Sequence, residues 1–508
     1  MKPFLRSHLP GLVAAVALLV SLPAASLAAE SVAPSEADEL RALREQIRLL
    51  DEKVRSLEAK QAQHADSAAI EKKLLVIERR QEISDERLAV TDKGITLSSA
   101  DGANFLRLRG LVQADARAFF NDDPALTNNS TFLLRRARLI FEGTFNKNTS
   151  FLVTPEFAGS APTIVDAYAN FALSPSFQVR AGRFKEPVGL EQLQSDSAAL
   201  FIERSLASQL VPNRDLGVQL GGDLLNGTLA YAAGIFDGVP DGSNNGAVTG
   251  TTVNADSDKD KDLAVRLFAL PFKNDVASPL RGLGFGLAAS TGREKPASGL
   301  AAYRTAGQQT FFSFRTQSAA AASKTNYTAV PDGTTWRLSP QAYYYYGPFG
   351  ILGEYAVSTV NVRPNFPTTF VGSPKVELKN TAWQLAVGYV LTGEDATYTG
   401  VVPKADFDWA SGSWGAWEIV ARYESLDLDD KAFGSPGAGY ASLADKNNNA
   451  SKVSGFDLGL NWFLSKTVRA SLNYYHSNFG LTAGAVPTTR ALLNNDESAL
   501  VTRLQIAF

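Results

Sequence analysis

"ALVTRLQIAF", residues 499–508, closes the chain, and its alternation decides how the rest is read. Along an extended backbone Leu500, Leu504, Ile506 and Phe508 lie on one side, with Val501, Arg503, Gln505 and Ala507 on the other. One face suits hydrocarbon and the other suits water. Upstream the same two-residue rhythm returns in "VRASLNYYHSNF" (468–479), "FDLGLNWFLS" (456–465), "GAWEIVARYESL" (415–426) and "TAWQLAVGYV" (381–390). In "FLRLRGLVQADAR" (105–117), Leu106, Leu108, Val112 and Ala114 oppose Arg107, Arg109, Gln113, Asp115 and Arg117. In "TFLLRRARLIFEGTF" (131–145), Leu133, Ala137, Leu139, Phe141 and Phe145 share a side, and Arg136, Arg138 and Glu142 share the other. Arg135 breaks this parity, so it needs a bulge or a place at a membrane rim.

Each run is about ten residues, the length that crosses a bilayer at a tilt. Turn signals such as "LSPS" (173–176), "NG" (226–227), "YGPFG" (346–350) and "LSKT" (464–467) alternate with long polar insertions such as residues 237–262. Short turns on one side and long loops on the other describe an outer-membrane barrel. A last strand ending in Phe508 resembles the assembly signal of bacterial outer-membrane barrels. A large soluble sandwich or solenoid is the competing reading. The region from Thr91 spans just over four hundred residues, which suits a barrel wide enough for an aqueous channel.

Residues 1–29 have a charged start (Lys2, Arg6), an apolar stretch centred on Leu12 to Val20, and small residues ending at Ala28 and Ala29. This is the build of a cleavable secretory signal. No unbroken run of about eighteen apolar residues follows, so membrane spans are expected as strands. Residues 30–90 read as a periplasmic segment. From Glu36 to about Leu88 there is no glycine or proline, and Leu40, Leu43, Ile47, Leu50, Val54 and Leu57 form a heptad seam. The seam weakens at Gln61 and His64 and resumes out of register around Ile70, Leu74 and Ile77. The expectation is a self-associating α-helical coiled coil; its core residues alone suit a dimer, and a single amphipathic helix is the alternative. Residues 91–508 are the outer-membrane β-barrel, antiparallel and all-β, with lipid as its outer partner.

The chain contains no cysteine, so disulfides, thiol chemistry and cysteine-ligated metals are excluded. His476 is the one histidine of the barrel region, and the carboxylates are scattered. No metal or cofactor and no enzymatic activity are expected. The formal charge of −3 makes any affinity for anions local and gives no reason to expect a nucleic-acid partner.

In segment order the chain resembles the phosphate-selective porin O/P family. "RGLVQADARAFF", "FLLRRARLIFEGTF", "IVDAYANFAL", "QVRAGRFKEPVGLEQL" and "FIERSL" follow one another as in that family, and "YVLTGE", "GAWEIVARYESL" and "GLNWFLSKTVRASLNYY" continue the match. The resemblance implies about sixteen strands, a homotrimer, an inward-folded third loop and an arginine ladder along the lumen. By motif, the paired arginines of the second strand fall on Arg135 and Arg136, the acidic residue of the central site on Asp166, and the constriction-loop arginine on Arg204. Where the most phosphate-specific members carry lysines after "GLE", this chain has Gln192 and Ser197; Lys185 in "RFKEP" stands nearby.

A phosphate that sheds water needs fixed donors, and a guanidinium can grip two of its oxygens. Several weak sites in series permit both capture and release. Arg107, Arg109, Arg136, Arg138, Arg266, Arg422, Arg469 and Arg503 have the polar parity of their strands. The competing role for each is to brace the wall against Asp115, Glu142, Glu156, Glu418 or Glu424. Residues 185–215 read as the constriction loop, Arg304 as part of a long polar loop remote from the pore, and "YYYY" (343–346) with Trp336, Trp383, Trp417 and Trp462 as interface girdle. The function expected is passive, anion-preferring uptake of phosphate, polyphosphate or other small anions. The alternatives are a general or sugar-selective porin, or a barrel that tethers the envelope through its coiled coil.

Overall fold

In a computed structural model the described residues are 36–120, 130–244, 259–318, 322–365, 373–487, 492 and 495–508. The leader read at 1–29 lies outside them. The chain divides into two units, Met1–Gln81 and Glu82–Phe508. Helix α1, Glu36–Arg87, runs unbroken through the weakened seam, as a stretch without glycine or proline permits. Leu40, Leu43, Ile47, Leu50, Val54 and Leu57 along it are 47–62% exposed, so the stripe is unburied on the single chain.

The second unit closes into a barrel. Its strands are β1 (Phe105–Phe119), β2 (Thr131–Phe145), β3 (Thr149–Glu156), β4 (Thr163–Ser174), β5 (Phe177–Lys185), β6 (Arg214–Leu224), β7 (Leu229–Phe236) and β8 (Asp262–Ala269). They continue with β9 (Leu283–Glu294), β10 (Gly333–Tyr346), β11 (Phe349–Asn365), β12 (Val376–Val390), β13 (Ala416–Asp427), β14 (Lys452–Phe463), β15 (Val468–Gly480) and β16 (Asp496–Ala507). All neighbours pair antiparallel, and β16 closes on β1 from Ala499↔Phe119 to Ala507↔Leu111. Closure leaves no open edge. The terminal phenylalanine completes the seam: Gly110 and Phe508 exchange backbone hydrogen bonds of 2.8 and 3.0 Å. A Cβ on Gly110 would stand 2.6 Å from the Phe508 ring, so the glycine makes room for it. Ahead of β1, a hairpin of Leu88–Thr91 and Gly94–Ser98 adds to the sheet through Ile95↔Leu108 to Ser98↔Phe105.

The faces sort as the dyads require. Leu263, Val265 and Leu267 are 52–56% exposed on the outer surface, while Gln113, Asp115 and Arg503 are buried inside. At Arg135 the chain solves its parity problem with a bulge. Gln113 pairs with Arg136 and Ala114 with Leu134, leaving Arg135 as the extra residue. Facing inverts beyond it: Phe132 and Leu134 are exposed, and Leu133, opposite the buried Asp115, turns inward. The expectation that Leu133 shares the greasy side is therefore corrected, because one inserted residue swaps the faces.

The tyrosine run is also corrected. Tyr344 and Tyr346 stack on each other, and Tyr346 is exposed, but Tyr343 and Tyr345 take the alternate face. Tyr343 packs on Phe268 at 5.1 Å and Tyr398 at 5.2 Å, inside the barrel. Trp417 and Trp462 stack at 4.9 Å near the short-turn rim, as a girdle requires. The longest connection on that rim is residues 391–415. Its Tyr398 hydroxyl donates to the Leu190 carbonyl at 2.6 Å and its Val401 is buried, so the segment tucks into the lumen from that end.

Candidate functional site

Residues 186–213, between β5 and β6, fold into the barrel as the reading of 185–215 expects. Two short turns of helix, Leu190–Leu193 and Leu206–Gln209, punctuate the segment. Its apolar residues explain its path. Val188, Leu206, Leu210 and Val211 join a buried cluster with Phe311 and Phe312 of 295–332 and Phe433 and Leu443 of 428–451. Two outer loops thus pack down on the constriction loop, and all three cover the wall made by β10 to β16.

Wall carboxylates satisfy the loop's backbone donors. Glu354 accepts from the amides of Leu190 (2.8 Å) and Glu191 (3.1 Å), and Glu424 accepts from that of Leu206 (2.9 Å). The Glu191 carboxylate accepts from the Ser205 amide and hydroxyl and from Ser208 and Gln384. Arg422 pairs with Asp457 (2.6 Å), Glu424 (3.2 Å) and Glu191 (3.4 Å). Arg503 grips Asp115 at 2.6 and 2.8 Å and donates to the Ile202 carbonyl; Arg469 donates to the Ala199 carbonyl. All three side chains are buried beneath the loop, where they brace it.

The opposite wall is open. A cavity of ≈ 790 Å³ lies between the loop and β2–β6, lined by Arg135, Arg136, Arg138, Arg183, Arg204, Arg214 and Arg304 and by the carboxylates Glu156, Asp196 and Glu203. Arg135 reaches Glu203 through two bonds of 2.9 and 3.2 Å. Arg136 donates to Gln113 at 2.7 Å and lies 3.4 Å from Asp196. Arg138 bridges Glu156 and Asp196, Arg204 reaches Asp196 at 2.7 Å, and Arg214 holds Asp166 at 2.9 Å. Burial alone would push the Asp196 carboxyl up, but Arg136 and Arg204 outweigh it and hold it well below the usual range. Glu203 is likewise held down against burial, chiefly by Arg135. Both loop carboxylates are therefore ionised, and seven lining guanidiniums against three lining carboxylates and the Asp166 behind Arg214 leave the cavity positive.

The other sequence-expected residues lie around this cavity. Lys185 donates to the Gln194 carbonyl at 2.8 Å and props the loop. Asp166 stands behind Arg214. Arg107 and Arg109 share Glu142 further toward the short-turn rim, and Arg180 of β5 stacks 4.6 Å over Tyr168. Arg266 sits on the far wall, bonded to Gln341 and stacked on Phe268. Sequence reading missed Arg183, Arg214, Asp196 and Glu203. Arg183 was within reach, being two residues before Lys185 on one strand. Arg214 opens a strand directly after a loop and has no periodic context. Arg304 is corrected outright: its loop folds inward, its backbone pairs with the Gln209 side chain, and it lines the cavity.

A closed strand barrel with a greasy outer face and an inward loop beside a cationic cavity defines a porin. Residues 106–508 match the family model for phosphate-selective porin O and P, and the chain belongs to that family. Porin O of Pseudomonas aeruginosa is 23% identical over 447 residues, covering 82% of this chain and 92% of that protein. Among solved structures, the outer membrane channel DcaP of Acinetobacter baumannii has a TM-score of 0.48 at 12% identity, covering 81% of this chain and 99% of that one. OmpT of Vibrio cholerae has a TM-score of 0.48 at 12% identity, covering 80% and 98%.

Proposed function

We propose that this outer-membrane porin is an anion-preferring channel for passive uptake of phosphate, polyphosphate or similar small oxyanions. The observation that carries the reading is the cavity with seven arginines and three carboxylates beside the constriction loop. Anions entering it meet guanidiniums fixed by the wall, and Arg180, Arg109 and Arg107 continue the series toward the short-turn rim. Arg135, Arg136, Arg138, Arg204, Arg214, Arg109 and Arg107 are partly compensated by carboxylates and Arg180 by an aromatic face, which favours brief stops over trapping. Arg135, Arg136, Arg138, Arg183, Arg204, Arg214 and Arg304 are the residues we assign to the anion path; Arg422, Arg469 and Arg503 we assign to holding the loop. The test is the reversal potential of the purified full chain in planar bilayers under a potassium chloride gradient. Anion preference with partial block by inorganic phosphate supports the proposal, and cation preference ends it.

We further propose that residues 1–29 are removed on export and that α1 stands in the periplasm as a coiled coil on a homotrimer. The exposed seam from Leu40 to Leu57 supports it, since one copy cannot bury that stripe. Deleting 36–90 should leave folded barrels whose trimers dissociate more readily in detergent. A dimer by mass would overturn the stoichiometry.

A further inference from the structure

At the centre of the cavity a side chain does what a bound anion would do. The Asp196 carboxylate stands 2.7 Å from Arg204, 3.4 Å from Arg136 and 3.9 Å from Arg214, and it also accepts from Arg138. Four guanidiniums from β2, β6 and the loop converge on one acceptor whose side chain is almost wholly buried. Its backbone cannot swing away. Lys185 and Arg204 both hold the Gln194 carbonyl, Gln113 holds the Asp196 carbonyl, and the Gln194 amide is tied to Tyr398. The carboxylate is thus a permanent occupant, hydrogen-bonded by Arg138 and ion-paired with Arg136, Arg204 and Arg214, while the Arg136 Nε itself has no hydrogen-bond partner.

We infer that Asp196 is a specificity-determining residue: a tethered anion that fills the arginine cradle and keeps it from retaining oxyanions. This rests on the anion-channel reading above. Without Asp196, four cations would surround a space the size of a carboxylate, with Glu156 and Asp166 as the remaining compensation. Such a cradle suits a tetrahedral oxyanion, because guanidinium forks pair with two oxygens at once. With Asp196 present the same groups offer a passing anion attraction without a vacancy. The site then conducts and does not store.

Electrostatic work scales with the charge of the ion, so removing one fixed negative charge should favour a dianion by about the square of the factor for chloride. The chain has no cysteine, which permits a reversible test at this position. Inorganic phosphate is titrated against chloride current through the full chain, Asp196→Asn, Asp196→Cys and, as a charge control in the exposed connection between β8 and β9, Asp275→Asn. We expect half-block by phosphate at a concentration at least about tenfold lower in Asp196→Asn and Asp196→Cys, and no change in Asp275→Asn. Coupling a sulfonate-bearing thiol reagent to Asp196→Cys restores the negative charge and should return the block toward that of the unaltered chain. Half-block within about twofold of the unaltered chain, in channels that still prefer anions, would overturn the inference and leave the channel reading standing. Cation preference in the unaltered chain would sink the channel reading itself. If neither neutral variant assembles while Asp196→Glu does, Asp196 is a folding requirement and the inference fails.

Discussion

The barrel interior has two walls that residue parity cannot tell apart. On β10 to β16, Arg422 and Arg469 lie beneath the constriction loop, and Arg503 bridges from there to Asp115 on β1. On β2 to β6, Arg136, Arg138 and Arg214 line a cavity. Every one of these side chains points inward. What differs is the material they meet: a loop with apolar Val188, Leu206 and Leu210 on one side, and open space on the other. Inward is a property of a strand, whereas wet or dry is a property of what the loops do.

The most disruptive way to break this contrast is Arg422→Ala. It leaves Asp457, Glu424 and Glu191 crowded and uncompensated in a dry site, and removing one partner of a buried network costs about 3–5 kcal/mol. We expect the loop to detach from its wall while the barrel still closes. Single-channel conductance should rise, and proteases should cut within 186–213. An unchanged conductance would mean that the apolar packing alone holds the loop.

Charge reversal on the open wall should act differently. Arg136→Glu places a negative group beside Asp196, in confined space where screening is weak. Anion over cation permeability should fall by roughly tenfold, with assembly intact because the lipid face is untouched. The same ratio in the variant and the unaltered chain would remove Arg136 from the path.

These outcomes bear on how much the sequence discloses. The dyads of 105–117 and 499–508 follow from local rules of alternation, and the parity of Arg135 narrows its account to a bulge or a rim position. The family resemblance added the strand number and the inward fold of the loop after "RFKEP". Asp196, Glu203 and Arg304 were not legible, since their roles arise from loops whose long-range packing has no period. In "GLEQLQSDS" the family pattern draws attention to absent lysines, whereas the residue among the arginines is its aspartate. The indoor half of the "YYYY" run was missed for a similar reason, because the segment 391–415 that receives it folds in from outside the strand pattern.

Acid offers a milder probe of the same contrast. Asp196 and Glu203 have folded-state values below the usual carboxylate range, so the stability they contribute is complete above about pH 4 and is lost as pH falls through those lowered values. The hold that this pair has on the loop should therefore stay constant down to about pH 5 and loosen only in stronger acid, whereas Glu186 of the same loop, pushed up by burial, is the group placed to titrate at higher pH. A transition centred near neutrality would show that another group, not this pair, governs the loop.

The smallest effect should come from the outermost cation. Arg304 is exposed, and no carboxylate lies within ion-pair distance of it among the described residues. It borders the same cavity as Arg136, but on the water side, where an ion atmosphere can form. The Debye length is about 30 Å at 0.01 M salt and about 3 Å at 1 M, so a charge at the mouth gathers anions only when salt is dilute. Arg304→Gln should lower conductance by about twofold at 0.01 M potassium chloride and leave it unchanged at 1 M. Arg136 stands deeper, against a wall that excludes counter-ions, so the loss from Arg136→Gln should persist at both concentrations. If the Arg304 effect also survives 1 M salt, the cavity is as closed at its mouth as at its centre, and the outer loops narrow the path as much as the constriction loop does.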